Sequence, residues 1–331
     1  MPLENSSEGH DTPSPSANAE CKPLPVSSML FEPSGVARVH GGWLVLDDEL
    51  LGSVLFVAHA ESGGRAALVK IQRGKEERAP IAKGVDRFFP VQDFEGIATD
   101  GEKRVFLIGS HCGKREEDGT VTPNPDREFL IEAEWDFEER RLDKARRSEN
   151  LLKVVKKVVK PTGLDISTKR CKRKGFLNIE GLAFDKEHDR LFVGFRYPLV
   201  KGKAVVAALS VAAAFSDKGD GKSDGKGAVL LLDLGNRGIR DIECADGSLW
   251  IIAGASDDER TPFSLWRCDT NGENLAHVHQ FCEADLALPG GGIGSPEGLS
   301  LIERTAEGQH TFMVALDSDG SHAGVLLRVG V

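Results

Sequence analysis

The chain has 331 residues, of which 40% are hydrophobic and 28% charged, with a formal net charge of −10. Its length allows one large domain or two ordinary ones, and the acidic balance excludes a non-specific nucleic-acid binder, which needs a basic footprint. No apolar run approaches the roughly 20 residues that a bilayer span requires, so no membrane contact is expected.

Residues 1–27 are rich in Ser, Pro, Asn and Glu and are expected to be a disordered leader. They lack a basic segment followed by an apolar one, which argues against a secretory signal. The six cysteines (Cys21, Cys112, Cys171, Cys244, Cys268 and Cys282) show no CxxC and no paired spacing. They read as reduced thiols, and a cytoplasmic address follows.

From residue 28 onward, β-branched and aliphatic runs alternate with Gly/Asp/Asn turns almost to the end. That pattern favours an all-β fold. Three stretches repeat one device: FEGIATD (94–100) before RVFLIGSH, IEGLAFD (179–185) before RLFVGFR, and PEGLSLI (296–302) before TFMVALDSD. Two diverged copies fit the same frame, Ser34-Gly35-Val36-Ala37 with WLVLDDE, and Arg240-Asp241-Ile242-Glu243 with LWIIAGASD. Apart from one long insertion the copies begin about 60 residues apart, a longer period than that of the common propeller repeats. Each supplies one or two further strand candidates. Three to four antiparallel strands per repeat is the blade of a β-propeller, with five blades expected, or six if the insertion hides another. The last repeat is one outer strand short, so an N-terminal strand, SSMLFE (27–32), is expected to close it. Residues 28–331 then form a single domain.

Two segments interrupt the frame. SENLLKVVKKVVK (148–160) puts Leu151, Val154, Val155, Val158 and Val159 on one helical face, opposite lysines, and ends at Pro161. It reads as a helix packed on a blade edge, although such a basic face also suits a partner or a membrane surface. SDKGDGKSDGKG (216–227) reads as a flexible loop. It offers Asp220, Lys222 and Asp224 where a calcium loop wants three oxygen ligands, and no glutamate at the twelfth position, and so fails as an EF-hand.

In a propeller the first strand of each blade lines the central channel, where crowding favours glycine. The residue before that glycine then points at the channel mouth. One ring is therefore predicted from Ser34, Glu95, Glu180, Arg240 and Glu297. A second comes from the ends of the second strands: Asp47 or Asp48, Ser110-His111, Arg196, Ser256-Asp257, and Asp317-Asp319. Three glutamates near one axis need positive charge among them. Arg196 and Arg240, with Arg237, could supply it as an internal network, or Ca²⁺ held by Glu95, Glu180 and Glu297 could do so. The ring is thus structural, a site for a small-molecule ligand or metal, or a catalytic centre. For binding, Arg196, Arg240 and Asp317 are the candidates. For catalysis they are Glu95, Glu180 and His111, and the reaction would be hydrolysis of an ester, lactone or phosphoester. The rival class is a non-enzymatic interaction scaffold that uses the basic helix. His111 and Cys112 are strand neighbours that face opposite ways, so His111 is expected at the mouth and Cys112 inside. HGGW (40–43) lacks the G-x-S-x-G partner of an esterase, and LPGGGIGSPEG (288–298) lacks the GK[ST] of a phosphate loop. Trp135 and Trp266 are expected to pack between blades.

The combination FEPSGVARV…WLVLDDE, DFEGIATDG, NIEGLAFD…LFVGFRYPL, GNRGIRDIE and SPEGLSL resembles a bacterial propeller family, the domain of unknown function numbered 3616, over roughly residues 28–331. Its EG repeats are more distantly similar to the esterase-like phytase domain. That likeness implies Ca²⁺-assisted phosphoester hydrolysis, with Glu95, Glu180 and Glu297 as the matching acids. Ser34 and Arg240 depart from the acidic pattern.

Overall fold

Strands such as RVFLIG and SLWIIAG are apolar at nearly every position, which suits a strand covered on both faces. The structure is a computed structural model. It describes residues 20–24, 30, 32–47, 50, 52–58, 66–73, 91–115, 121–148, 150–166, 177–216, 227–256, 262–289, 291–318 and 324–331.

The strands group in order along the chain. After β1 (Glu20–Leu24), the first unit is β2 (Pro33–Val39), β3 (Gly42–Asp47), β4 (Ser53–Ala58) and β5 (Ala66–Arg73). The second begins with β6 (Phe94–Thr99) and β7 (Arg104–Gly109). A small ribbon of β8 (Lys114–Arg115) and β9 (Val121–Thr122) follows, then β10 (Leu130–Asp136) and β11 (Arg141–Arg147). Helix α1 (Leu151–Val159) leads to the third unit, β12 (Asn178–Asp185), β13 (Arg190–Tyr197), β14 (Ala204–Ser210) and, after the one-turn α2 (Val211–Ala214), β15 (Ala228–Leu232). The fourth is β16 (Gly238–Ala245), β17 (Ser248–Gly254), β18 (Ser264–Asp269) and β19 (Ala276–Gln280). The fifth is β20 (Ser295–Arg304), β21 (His310–Asp317) and β22 (Val325–Gly330), completed by β1. Pairing within every unit is antiparallel, and a short parallel pairing of β5 with β11 joins the outer edges of the first two. The fold is an all-β propeller.

The hydrophobic core is divided among the gaps between units. Period-2 alternation sends successive side chains of a strand to opposite neighbours. In β17, Leu249 and Ile251 pack with Phe192 and Val206 of the third unit, while Trp250 and Ile252 pack with Phe312 and Val314 of the fifth. In β7, Phe106 and Ile108 face the third unit, whereas Val105 and Leu107 face the first. The fifth and first units share Met313, Ala315, Val36 and Val45. The first strands likewise touch in a closed cycle, β2 to β6 to β12 to β16 to β20 and back to β2. Trp135 packs between units as expected, its ring 4.9 Å from Phe56 and its Nε1 donating to the His40 carbonyl at 3.0 Å. Trp266 joins the packing between the third and fourth units.

The first-to-second strand hairpin of the fourth unit shows how locally these turns are written. Asp246 and Gly247, at φ 51° and 71°, connect the paired residues Ala245 and Ser248. Two left-handed residues make the turn whose twist matches paired strands, and Asp-Gly is its preferred sequence.

An N-terminal strand does close the last unit, but not the one expected. Glu20–Leu24 pairs with β22, from Glu20 opposite Gly330 to Leu24 opposite Leu326. This strand falls inside the stretch expected to be a disordered leader. Of the expected SSMLFE strand, residues 27–29 and 31 lie outside the described residues. Helix α1 buries Leu151, Val154, Val155 and Val159 against the second and third units, and Lys153, Lys157 and Lys160 are exposed. Residues 217–226 of the expected flexible loop lie outside the described residues. Among the described residues no helix is long and apolar enough to cross a membrane.

Candidate functional site

Among the described residues, the five first strands carry the same irregularity at the same place. Their pairing with the second strand slips by one residue between Pro33 and Gly35, Phe94 and Gly96, Ile179 and Gly181, Ile239 and Asp241, and Pro296 and Gly298. The residues left unpaired by these β-bulges are Ser34, Glu95, Glu180, Arg240 and Glu297. A bulge re-aims its extra side chain out of the ladder. All five line one cavity of about 150 Å³, together with Glu32, Pro33, Arg196 and Asp317.

The following glycine is required by the closeness of the neighbouring unit. A Cβ at Gly298 would stand 2.7 Å from the Val36 backbone nitrogen, and one at Gly96 would stand 2.9 Å from Leu182 Cβ. In the fourth unit Asp241 occupies this position instead. It is fully buried, and its Oδ1 and Oδ2 accept the backbone N–H groups of Ile242 at 2.8 Å and Leu299 at 2.7 Å. Burial pushes its carboxyl pKa well above the ordinary aspartate value.

Charge in the cavity is paired around Glu180 and Arg240. Arg196 Nη1 lies 2.9 Å from Glu180 Oε1, Arg240 Nε lies 3.1 Å from Glu180 Oε2, and Arg240 Nη2 contacts Glu297 Oε1. The Arg240–Glu180 contact is close but lacks hydrogen-bond alignment, since neither atom has a hydrogen-bond partner. Asn178 Nδ2 also donates to Glu180 Oε1 at 2.9 Å, and Arg196 Nε donates to the Ala255 carbonyl at 3.2 Å. Ser34 Oγ donates to the Phe94 carbonyl at 2.5 Å, tying the first mouth residue to the strand that carries the second. Burial pulls the Arg240 pKa down, while Glu180 opposes that change. Arg237 stands outside the network, its Nη1 donating to the Leu234 carbonyl at 3.3 Å.

The arrangement fits Ca²⁺ poorly. Glu180 and Glu297, two of the three expected ligands, are turned onto Arg240, an internal cation. Among the described residues no group of three or more His, Cys, Asp or Glu is disposed to hold a metal ion.

His111 is not among the cavity-lining residues, against expectation. At φ 55° it turns the chain off the end of β7. Its N–H donates to the Arg127 carbonyl at 3.1 Å, and its Nδ1 lies 2.9 Å from the Gly109 carbonyl. Burial, with Arg147 adding to it, pushes the imidazole pKa down to about 4. Cys112 is the more exposed of the pair, the reverse of the expected orientation. Ser110 bonds Asp93, and Asp47 is fully buried. Ser256 does not line the cavity, while Asp48, Asp257 and Asp319 lie outside the described residues. Cys112, Cys244, Cys268 and Cys282 are unbridged. Sequence reasoning missed Glu32, whose place two residues before Ser34 in FEPSG was the available signal.

A family profile described as "Protein of unknown function (DUF3616)" matches residues 132–324. No curated protein matches. Among solved structures, a streptogramin B lyase is similar over 94% of this chain and 97% of its own, at 10% identity and a TM-score of 0.37. An exo-beta-1,3-galactanase from Phanerochaete chrysosporium is similar over 94% of this chain and 64% of its own, at 7% identity and a TM-score of 0.45. A tail fiber of Staphylococcus aureus phage P68 is similar over 94% of this chain, which spans 52% of the fiber's length, at 10% identity and a TM-score of 0.40. Likeness at this level assigns no activity.

Proposed function

The chain belongs to DUF3616, a family of unknown function, and from the geometry of the mouth we propose that it binds a small polyhydroxylated molecule there. One observation carries this reading: five bulges, spread from Ser34 to Glu297, aim their side chains into the same cavity. A structural ion pair needs two side chains and one bulge at most. Five carboxylates (Glu32, Glu95, Glu180, Glu297 and Asp317) surround two guanidiniums, so acceptors outnumber cations. Hydroxyl groups donate to such acceptors without bringing a charge. The volume suits one compact ligand, since a water molecule occupies about 30 Å³.

The reaction class these groups suit is hydrolysis of an ester, lactone or phosphoester. Arg196, with a quarter of its side chain accessible, would hold an oxyanion or phosphate. Glu95 would take the proton from water.

The test is a thermal-shift series with inositol, glucose, a sugar phosphate, a sugar lactone, Ca²⁺ and Mg²⁺, on wild type and on Glu95→Gln/Asp317→Asn. A ligand at about 100 times its Kd stabilises by roughly 2.7 kcal/mol. A hydroxylated ligand should shift the wild type alone. No shift in the wild type, or a shift that survives the substitutions, would remove the proposal. A response confined to the two ions would replace the ligand by a metal.

A further inference from the structure

The first strands carry chemistry at both ends. Their beginnings line the mouth, and their far ends meet a second cavity of about 330 Å³. It lies between Arg38 of β2, Thr99 of β6, Phe184 of β12, Glu243 of β16 and Ser300 and Leu301 of β20, with the hairpin turns at its rim. Glu243 stands three residues beyond Arg240, so the two cavities are separated by roughly 10 Å of strand at about 3.3 Å per residue.

The charged groups facing this cavity are nearly all engaged by the protein itself. From β2, Arg38 Nη1 donates to the Ile302 carbonyl at 2.6 Å. From the β6–β7 turn, Asp100 Oδ1 accepts the N–H groups of Glu102, Lys103 and Arg104 at 2.9, 2.7 and 3.0 Å. In the β12–β13 turn, Asp185 pairs with Arg190 at 2.9 Å and His188 at 2.8 Å, while Lys186 and Glu187 are exposed. In the β16–β17 turn, Asp246 pairs with Arg304 at 3.5 Å and His310 at 3.6 Å. The Cys244 thiol is pushed up to about 12 by burial and stays protonated. Glu243 differs from the engaged groups. Its carboxyl accepts the Leu301 backbone N–H, and among the described residues no arginine or lysine is paired with it.

We propose that this second cavity binds a small organic ammonium ion, with Glu243 as its counter-ion. An ammonium supplies both N–H donors and the missing charge. Phe184, Ala245 and Leu301 are among the lining residues and would receive a short aliphatic body. The proposal goes beyond the mouth reading and does not rest on it.

Desolvation in the cavity holds the half-buried Glu243 carboxyl up at about 8. At neutral pH the cavity therefore holds a protonated carboxyl, and binding an ammonium ion expels its proton. Below that pKa, affinity should rise close to tenfold per pH unit, levelling above it.

The experiment is calorimetric titration of the full chain with 1,4-diaminobutane at pH 6, 7, 8 and 8.5, in buffers of differing ionisation heat. The expected result is a Kd that falls by roughly fiftyfold to a hundredfold between pH 6 and 8, with close to one proton released at pH 6. Glu243→Gln should abolish binding, and Glu95→Gln should retain it. Binding lost in Glu95→Gln but kept in Glu243→Gln would assign the diamine to the mouth and overturn the proposal. So would no binding at pH 8.5. Should Glu243→Gln fail to fold, the wild-type proton release decides: affinity independent of pH sinks the idea.

Discussion

The Asp241 carboxyl accepts the Leu299 backbone N–H at 2.7 Å, joining the inner strands of the fourth and fifth units. Glycine fills the equivalent place in the other four units, so this aspartate replaces a close backbone approach by a hydrogen bond. Asp241→Ala leaves buried N–H groups without an acceptor and should cost about 1–3 kcal/mol. Urea unfolding measures it. An unchanged midpoint would show that the bond carries no stability.

Arg240 lies between Glu180 and Glu297, with 9% of its side chain exposed against 4% and 9% of theirs. Removing the cation strands two buried carboxylates. Arg240→Met should therefore lose about 3–5 kcal/mol near neutral pH. Denaturant unfolding of the variant and the wild type measures it. Matching midpoints would contradict the pairing.

His111 is buried and held near pKa 4, below the ordinary 6.5. A folded-state pKa below the unfolded one contributes stability that is present above pH 6.5 and lost as pH falls toward 4, by up to about 3 kcal/mol. His111→Asn tolerates the left-handed backbone and does not titrate. Its stability between pH 7 and 4 should fall less steeply than that of wild type. Parallel profiles would place the proton elsewhere.

Strand β1 covers the outer edge of β22 with backbone pairs from Glu20 to Leu24. Deleting residues 1–19 should leave the melting temperature unchanged, whereas deleting 1–24 should lower it by several degrees and expose an unpaired edge. Equal melting temperatures for the two truncations would remove β1 from the closure.

The all-β class and the mouth residues were legible in the sequence because both are written locally. Apolar runs of strand length alternate with turn residues, and an acidic residue before glycine recurs at a regular spacing. Ser34, Glu95, Glu180, Arg240 and Glu297 could thus be named from spacing alone. The bulges could not, because register belongs to a pair of strands and one sequence shows only one of them. The same holds for Arg240, whose partners Glu180 and Glu297 come from different units. It holds for Asp241 too, since only the approach of β20 makes an aspartate useful where glycine is the rule. His111 looked like a mouth residue because alternation assumes extended backbone, and a left-handed φ at that position breaks the assumption. The closing strand hid in ECKPL for a related reason: pairing at a sheet edge is made by backbone N–H and C=O groups, which every such residue but proline carries in full, so no side-chain pattern announces it.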